Sequence, residues 1–125
     1  MGFETFAEGT VTANGSEQTL AELTEAVRVS GYISLSQLQA GDTVVLRQYT
    51  KLFATWEKYN EESYSGAQAN PVIYFTPKEI ASSLKVTLQQ TAGVLRAFSY
   101  KFIKEKASLE VKITIEGAAT AVFSV

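Results

Sequence analysis

Leu84-Lys85-Val86-Thr87-Leu88-Gln89 alternates apolar and polar side chains without a break. After Gln90-Thr91-Ala92-Gly93 the apolar phase returns at Phe98, Tyr100 and Phe102. It returns again at Leu109, Val111, Ile113 and Ile115, beyond the charged break Lys104-Glu105-Lys106. Successive side chains on a strand point to opposite faces, so each run offers one face to a core and one to water. Short polar breaks between such runs predict an antiparallel meander over residues 84–115, because parallel strands need long crossovers.

The rest of the chain repeats the theme. Residues 3–13 are rich in Thr and Val and end at Asn14-Gly15, a tight-turn dipeptide. Asn14-Gly15-Ser16 also spells a glycosylation sequon, which needs a secretory route that this sequence does not display. Residues 17–29 admit two readings. Leu20, Leu23 and Val27 have helical spacing behind a capping Ser16, whereas Thr19, Thr24, Val27 and Val29 favour strands, as do the flanking segments. The segment is read as extended. Ile33 and Leu35 alternate with Ser34 and Ser36 as a half-buried strand, and Gln39-Ala40-Gly41-Asp42 is a turn. From Thr43, one parity carries Val44, Leu46, Leu52, Ala54 and Trp56, which predicts a long strand. Gln48 and Thr50 interrupt that parity, so its far face is partly covered or it bulges near its middle. Residues 58–70 are polar and read as a surface excursion with room for a short strand. Val72-Ile73-Tyr74-Phe75, between Pro71 and Pro77, reads as an edge strand or as one that starts and stops at its prolines, since proline donates no ladder hydrogen bond. Ala121, Phe123 and Val125 share a phase in a final run. Eight or nine strands at roughly ten-residue spacing, with little or no helix, indicate an all-β antiparallel sandwich, jelly-roll-like or Ig-like.

Composition bounds the class. A chain of 125 residues is the size of one domain, here residues 1–125. Folding at that size buries roughly two thirds of the unfolded surface. A 46% apolar and 19% charged composition is that of a globular domain. A net charge of −2 argues against nucleic acid as partner, because phosphate contacts need a basic face. Cysteine is absent, which removes disulfides, thiolate metal sites and cysteine nucleophiles. Histidine is absent too, which removes imidazole bases and the commonest metal ligand. Asp42 is the only aspartate. Met1-Gly2-Phe3-Glu4-Thr5-Phe6 lacks the apolar run of a signal peptide and the Ser or Thr of a myristoylation site. No stretch approaches the ~20 apolar residues of a membrane span. The expectation is a soluble protein, made in a cytoplasm, with no membrane partner.

No residue constellation announces a chemistry. Without His or Cys, a nucleophile must be activated by Lys or a carboxylate. Ser82, Ser83 and Lys85 lie close together, but on a strand they read as solvent-facing. Glu57, Glu61 and Glu62 form the one carboxylate cluster, which as a pair flanking aromatics suggests a glycosidase and as a loop suggests solvation. Calcium wants several loop Asp or Asn oxygens, and glycine-rich phosphate loops are missing. The glycines sit singly at breaks, as turn glycines do. Lys101, Lys104 and Lys106 beside Tyr100 and Phe102 are balanced by Glu105 and Glu110, as on a solvated hairpin tip. These readings point to no catalytic residue, no cofactor and no metal. Trp56 continues a buried parity and is expected in the core, whereas Tyr59 and Tyr64 are candidates for an exposed interface.

One resemblance is visible in the order of motifs. Ser16-Glu17-Gln18-Thr19-Leu20 is followed by Gly31-Tyr32-Ile33-Ser34-Leu35, then by Ala40-Gly41-Asp42-Thr43-Val44-Val45-Leu46-Arg47-Gln48-Tyr49. Val86-Thr87-Leu88-Gln89-Gln90-Thr91-Ala92-Gly93 and Arg96-Ala97-Phe98-Ser99-Tyr100 close the series. Over residues 11–104 the chain resembles a group of small, mostly uncharacterised β-rich proteins of tailed phages and archaeal viruses, often encoded among virion genes. Members of that group commonly end soon after the position of Phe102, whereas this chain continues with two more strand-like runs. The resemblance implies a non-enzymatic virion component: a capsid decoration, cement or minor structural protein. It would be located in the virion, with itself or other virion proteins as partners. The alternative is a carbohydrate- or receptor-binding module using Tyr59 and Tyr64.

The last run, Thr120-Ala121-Val122-Phe123-Ser124-Val125, carries no charge and no proline. An uncharged terminal edge strand invites pairing with another chain, so these residues are candidate contacts in a homo-oligomer or lattice. Deleting residues 120–125 and sedimenting the product tests this. A role between copies gives folded monomers; pairing within the meander gives an unfolded chain.

Overall fold

Period-two alternation becomes eight strands in the computed structural model, which describes residues 2–51, 53–80 and 82–105. They are β1 (Phe3–Thr12), β2 (Gln18–Leu23), β3 (Arg28–Ser34), β4 (Thr43–Thr50), β5 (Glu57–Ser65), β6 (Val72–Glu79), β7 (Leu84–Ala92) and β8 (Ala97–Glu105). Among the described residues there is no helix. The segment 17–29, read as extended, is strand in β2 and again from Arg28 in β3, with a bend over residues 25–27 between them. The runs at residues 109–115 and 120–125 lie outside the described residues.

The strands form two four-stranded antiparallel sheets, β1-β8-β3-β6 and β2-β7-β4-β5. This order has a simple origin. The tight connection between β4 and β5 makes a hairpin, and beyond it β3 pairs with β6, β2 with β7 and β1 with β8. The chain is thus one long antiparallel ribbon. Rolling the ribbon up adds two further pairings, β3 with β8 and β4 with β7. That is the jelly-roll form of the β-sandwich. It corrects the meander: β7 and β8 are consecutive in sequence but sit in different sheets, and β8 has both neighbours supplied by β1 and β3. The alternation of one strand fixes its faces, but its partners lie 61 to 70 positions away in sequence for β2 and 85 to 102 for β1.

The core lies between the sheets. Phe98 and Phe102 of β8 are fully buried with Ile33 of β3, and Phe75 packs edge-on against Phe102 at 5.3 Å. The facing sheet supplies Val44, Leu46, Leu84, Val86 and Leu88. Burying each large side chain is worth about 1.5–3 kcal/mol. Bulges adjust the fit. An extra residue in β1 between Thr5 and Ala7 turns Phe6 toward Phe102, and one in β2 between Thr19 and Ala21 buries Leu20 and Ala21 side by side. That second bulge puts Leu20 in phase with Leu23, the spacing that mimics a helix there.

Two expectations about β4 change. The strand ends at Thr50, where Ser83 meets it: Thr50 Oγ1 donates to the Ser83 carbonyl, and the Lys51 N–H donates to Ser83 Oγ at 2.7 Å. Ser83 is therefore buried as a tie between β4 and β7, not solvent-facing. Trp56 lies beyond the strand and outside the core, half-buried with Lys51 and Lys85 ammonium groups 5.4 and 4.9 Å from its ring. The bulge expected in β4 lies instead in its partner β5, where the register shifts opposite Gln48 and Tyr49.

At the other end of β4, Asp42 is fully buried. Its carboxylate accepts from Arg96 Nε at 2.7 Å and from the N–H groups of Gln39 and Val94, each at 2.9 Å. The Arg96 hydrogen bond, above all, holds this carboxyl below the usual carboxylate range. Buried Gln90 completes the tie by bonding the carbonyls of Ala92 and Val94 and the Arg96 N–H. A side chain at Gly93, whose φ is 90°, would strike Asp42. The lone aspartate is a structural joint between the β3–β4 and β7–β8 connections.

Gly31 lets β3 approach β8. A Cβ there would stand 2.4 Å from Phe102 Cδ1 and 2.6 Å from the Lys101 carbonyl oxygen. Gly31→Ala is expected to destabilise the protein by about 1–3 kcal/mol through overpacking, outweighing the ~0.4–1 kcal/mol that Ala gains in the unfolded chain. Gly9→Ala meets nothing nearer than the Tyr100 hydroxyl at 3.4 Å and should be neutral or stabilising. Urea midpoints of the two variants read the difference in sign.

Candidate binding cleft at the β5–β6 edge

β5 closes one sheet and β6 the other, and their edges lie side by side. In the β4–β5 ladder Val44 pairs with Tyr64, Leu46 with Glu62 and Gln48 with Asn60. Directly paired residues share a face, and Val44 and Leu46 face the core. Tyr64, Glu62 and Asn60 therefore point inward, where a sandwich ordinarily puts apolar side chains. The outward positions of β5 are polar as well, with Ser63 opposite Val45 and Glu61 opposite Arg47. The stretch 58–70, read as a surface excursion with room for a short strand, instead carries most of the nine-residue strand Glu57–Ser65. Its polarity on both faces hid it, since alternation needs one apolar face.

The inward polar side chains border a cleft of about 130 Å³ between the sheets. Its floor is Leu46, Ile73 and Phe75; Gln48, Asn60, Glu62 and Tyr64 line one wall, and Tyr74 stands at the rim. The Tyr64 hydroxyl donates to Glu62 Oε1 at 2.6 Å. Burial first, then this bond and the Glu62 charge, push the Tyr64 phenol up to about 12. Tyr59 is the extra residue of a bulge, because Gln48 pairs with Asn60 and Tyr49 with Lys58. Its hydroxyl donates to Gln48 Oε1 at 2.9 Å, so it braces the cleft wall while its ring stays exposed. The two tyrosines singled out in the sequence belong to one site by different routes.

The three glutamates do not converge. Glu61 and Glu62 are consecutive on a strand and so face opposite sides. Glu61 is bound to Arg47 Nε at 3.0 Å and to Lys58, and chiefly the Lys58 contact lowers its carboxyl's affinity for protons. The outer face of this sheet is a polar network. Arg47 also reaches Gln89 at 2.9 Å and Glu17 at 3.7 Å, and Glu17 accepts from the Tyr49 and Thr87 hydroxyls. Burial pushes the Glu17 carboxyl up, but these two hydroxyls with Arg47 and Lys85 outweigh it and the carboxyl titrates low. Among the described residues no three His, Cys, Asp or Glu side chains group as a metal site. Lys104 lies within β8, bonded to Glu25 at 2.8 Å with Glu4 at 3.6 Å, whereas Lys106 and Glu110 of the expected hairpin tip lie outside the described residues. The candidate contacts Thr120 through Val125 lie outside the described residues.

No protein-family model matches this chain, and no curated protein does. Among solved structures it is similar to the VP2 subviral particle of infectious bursal disease virus, with 10% sequence identity and a TM-score of 0.46. The similarity covers 82% of this chain and 32% of that one, so this chain spans less than two thirds of the VP2 chain's length.

The Tyr64 phenol gives a readable titration. Its folded value of about 12 lies above the unfolded value, so its contribution to stability is complete below the ordinary tyrosine range and is lost as pH rises toward 12. Glu62→Gln removes the charge and weakens the acceptor. Phenolate absorbance of Tyr64, taken as the difference from Tyr64→Phe, should then rise at lower pH than in the parent protein.

Proposed function

We propose that this chain is a non-enzymatic structural component of a virion, a capsid decoration, cement or minor capsid protein that acts through contacts with copies of itself or other virion proteins. The observation that carries the reading is the strand order β1-β8-β3-β6 over β2-β7-β4-β5, an order that viral capsid domains share with lectin and cupin domains. A fold alone hosts many functions, so strand order argues here by analogy. The motif series over residues 11–104, which resembles proteins encoded among virion genes, selects within that set.

The surface suits contact at both ends of the sandwich. Phe53, in the β4–β5 connection, is 81% exposed. Val94 and Leu95, in the β7–β8 connection, are exposed at the opposite end, because β4 and β7 run antiparallel. Apolar side chains held out at both tips favour neighbours stacked along the long axis. Among the described residues β1, β2, β5 and β6 end their sheets and offer edges for the same purpose.

Mass spectrometry of purified particles tests the reading. It predicts the protein in the virion at a fixed copy number, and Phe53→Ser or Val94→Ser should lower that number while the isolated protein stays folded. Absence from purified particles overturns it.

A further inference from the structure

We infer that the β5–β6 edge binds neutral sugar rings of a glycan in two adjoining subsites, both bordered by Tyr74. The first subsite is the inter-sheet cleft. The second lies on the outer face of the other sheet, a depression of about 190 Å³ lined by Tyr32, Tyr74, Lys101 and Ile103 beside Ser30 and Gly31. The backbone of Ser30 and Gly31 lies beside this hollow, between the two tyrosines. Tyr74 borders both spaces and is 64% exposed although it sits on a strand.

Three features point to sugar. At about 30 Å³ per water, the two spaces hold roughly four and six waters, the scale of one ring each. They are smaller than the ~300–1,000 Å³ of drug-sized sites. Each space pairs an aromatic ring with polar side chains, and a sugar presents both a C–H face that packs on an aromatic and hydroxyls that donate and accept. In the cleft, the planar groups of Asn60 and Glu62 stand two positions apart on one strand face, able to hold neighbouring hydroxyls over the apolar floor of Ile73 and Phe75. Inward polar side chains on a sandwich strand forfeit core burial, and such departures from pattern mark functional positions.

The charge of the cleft selects neutral rings there, while Lys101 sets a cation beside the second subsite. Among the described residues lining the cleft Glu62 alone is charged, while Arg47 and Lys58 meet Glu61 on the outer face of that sheet. A carboxylate-bearing sugar would be repelled there. A basic peptide is the competing occupant, since Glu62 would attract it, and its binding would weaken steeply with salt.

The test uses the full chain against lactose, cellobiose, mannobiose and an oligo-arginine peptide. Saturation-transfer NMR and calorimetry are run at low and high salt, beside a glycan array. The expected result is saturable, salt-independent binding of a neutral disaccharide. Tyr74→Ala and Asn60→Ala should each weaken it about tenfold or more, the equivalent of one lost contact of ~1.4 kcal/mol. Circular dichroism checks that both variants fold, and truncating exposed Tyr74 leaves the core in place. Failure of every neutral saccharide in solution and on the array overturns the inference. So does binding that survives both substitutions, or salt-sensitive binding of the peptide alone. The virion reading stands apart, because particle composition decides it.

Discussion

The contact of β3 with β8 is the constraint on which the other contacts rest. The ribbon that folds back at β4–β5 has two broad faces, and only rolling it brings the apolar one inside. Pairing β3 with β8 closes that roll in one sheet while β4 and β7 close it in the other. Gly31 permits the close approach, and Phe102 fills the space beneath it against Phe75, Phe6 and Tyr100. Central strands β8, β3, β7 and β4 carry the large buried side chains, as the middle of a sandwich must. The outer strands are left with less to bury and more freedom in sequence.

That freedom is used unequally. On the side where the chain passes from β1 to β2, bulges at Phe6 and Leu20 press apolar residues inward and close the sandwich. On the β5–β6 side the inward positions are Asn60, Glu62 and Tyr64, which do not close over the core but border a cleft. Inward charge on an edge strand also discourages unwanted strand pairing. The same residues can serve both ends, since a polar wall that resists edge addition is also a wall with hydrogen-bonding groups.

The polar joints are local in space but remote in sequence. Asp42 reaches Arg96, Glu17 reaches Tyr49 and Thr87, and Ser83 reaches Lys51. Each ties the end or outer face of one strand to another that the ribbon has brought alongside. Buried polar groups of this kind add specificity because they are satisfied in one register only. They explain why residue types often associated with catalysis, a lone aspartate and a Ser-Ser-x-Lys run, are here spent on holding strands in place.

The sequence by itself determined the strands and the all-β class, because alternation and turn chemistry are properties of neighbours along the chain. Val86-Thr87-Leu88, the Asn14-Gly15 turn, where Asn14 Oδ1 accepts from the Ser16 N–H at 2.8 Å, and the edge position of the Pro71-Val72 strand were all legible that way. Tyr59 and Tyr64 were legible as candidates, but not their roles. Only the tertiary structure decided which strands pair, and so placed β7 and β8 in different sheets. It alone ended β4 at Thr50 and moved Trp56 out of the core. It alone turned Glu61 to the outer face and Glu62 into the cleft, and set Ile73, Phe75 and Tyr74 opposite Asn60. The physical reason is the same each time. A two-residue period states which side chains share a face, but what that face meets depends on partners tens of residues away, and nothing local encodes them.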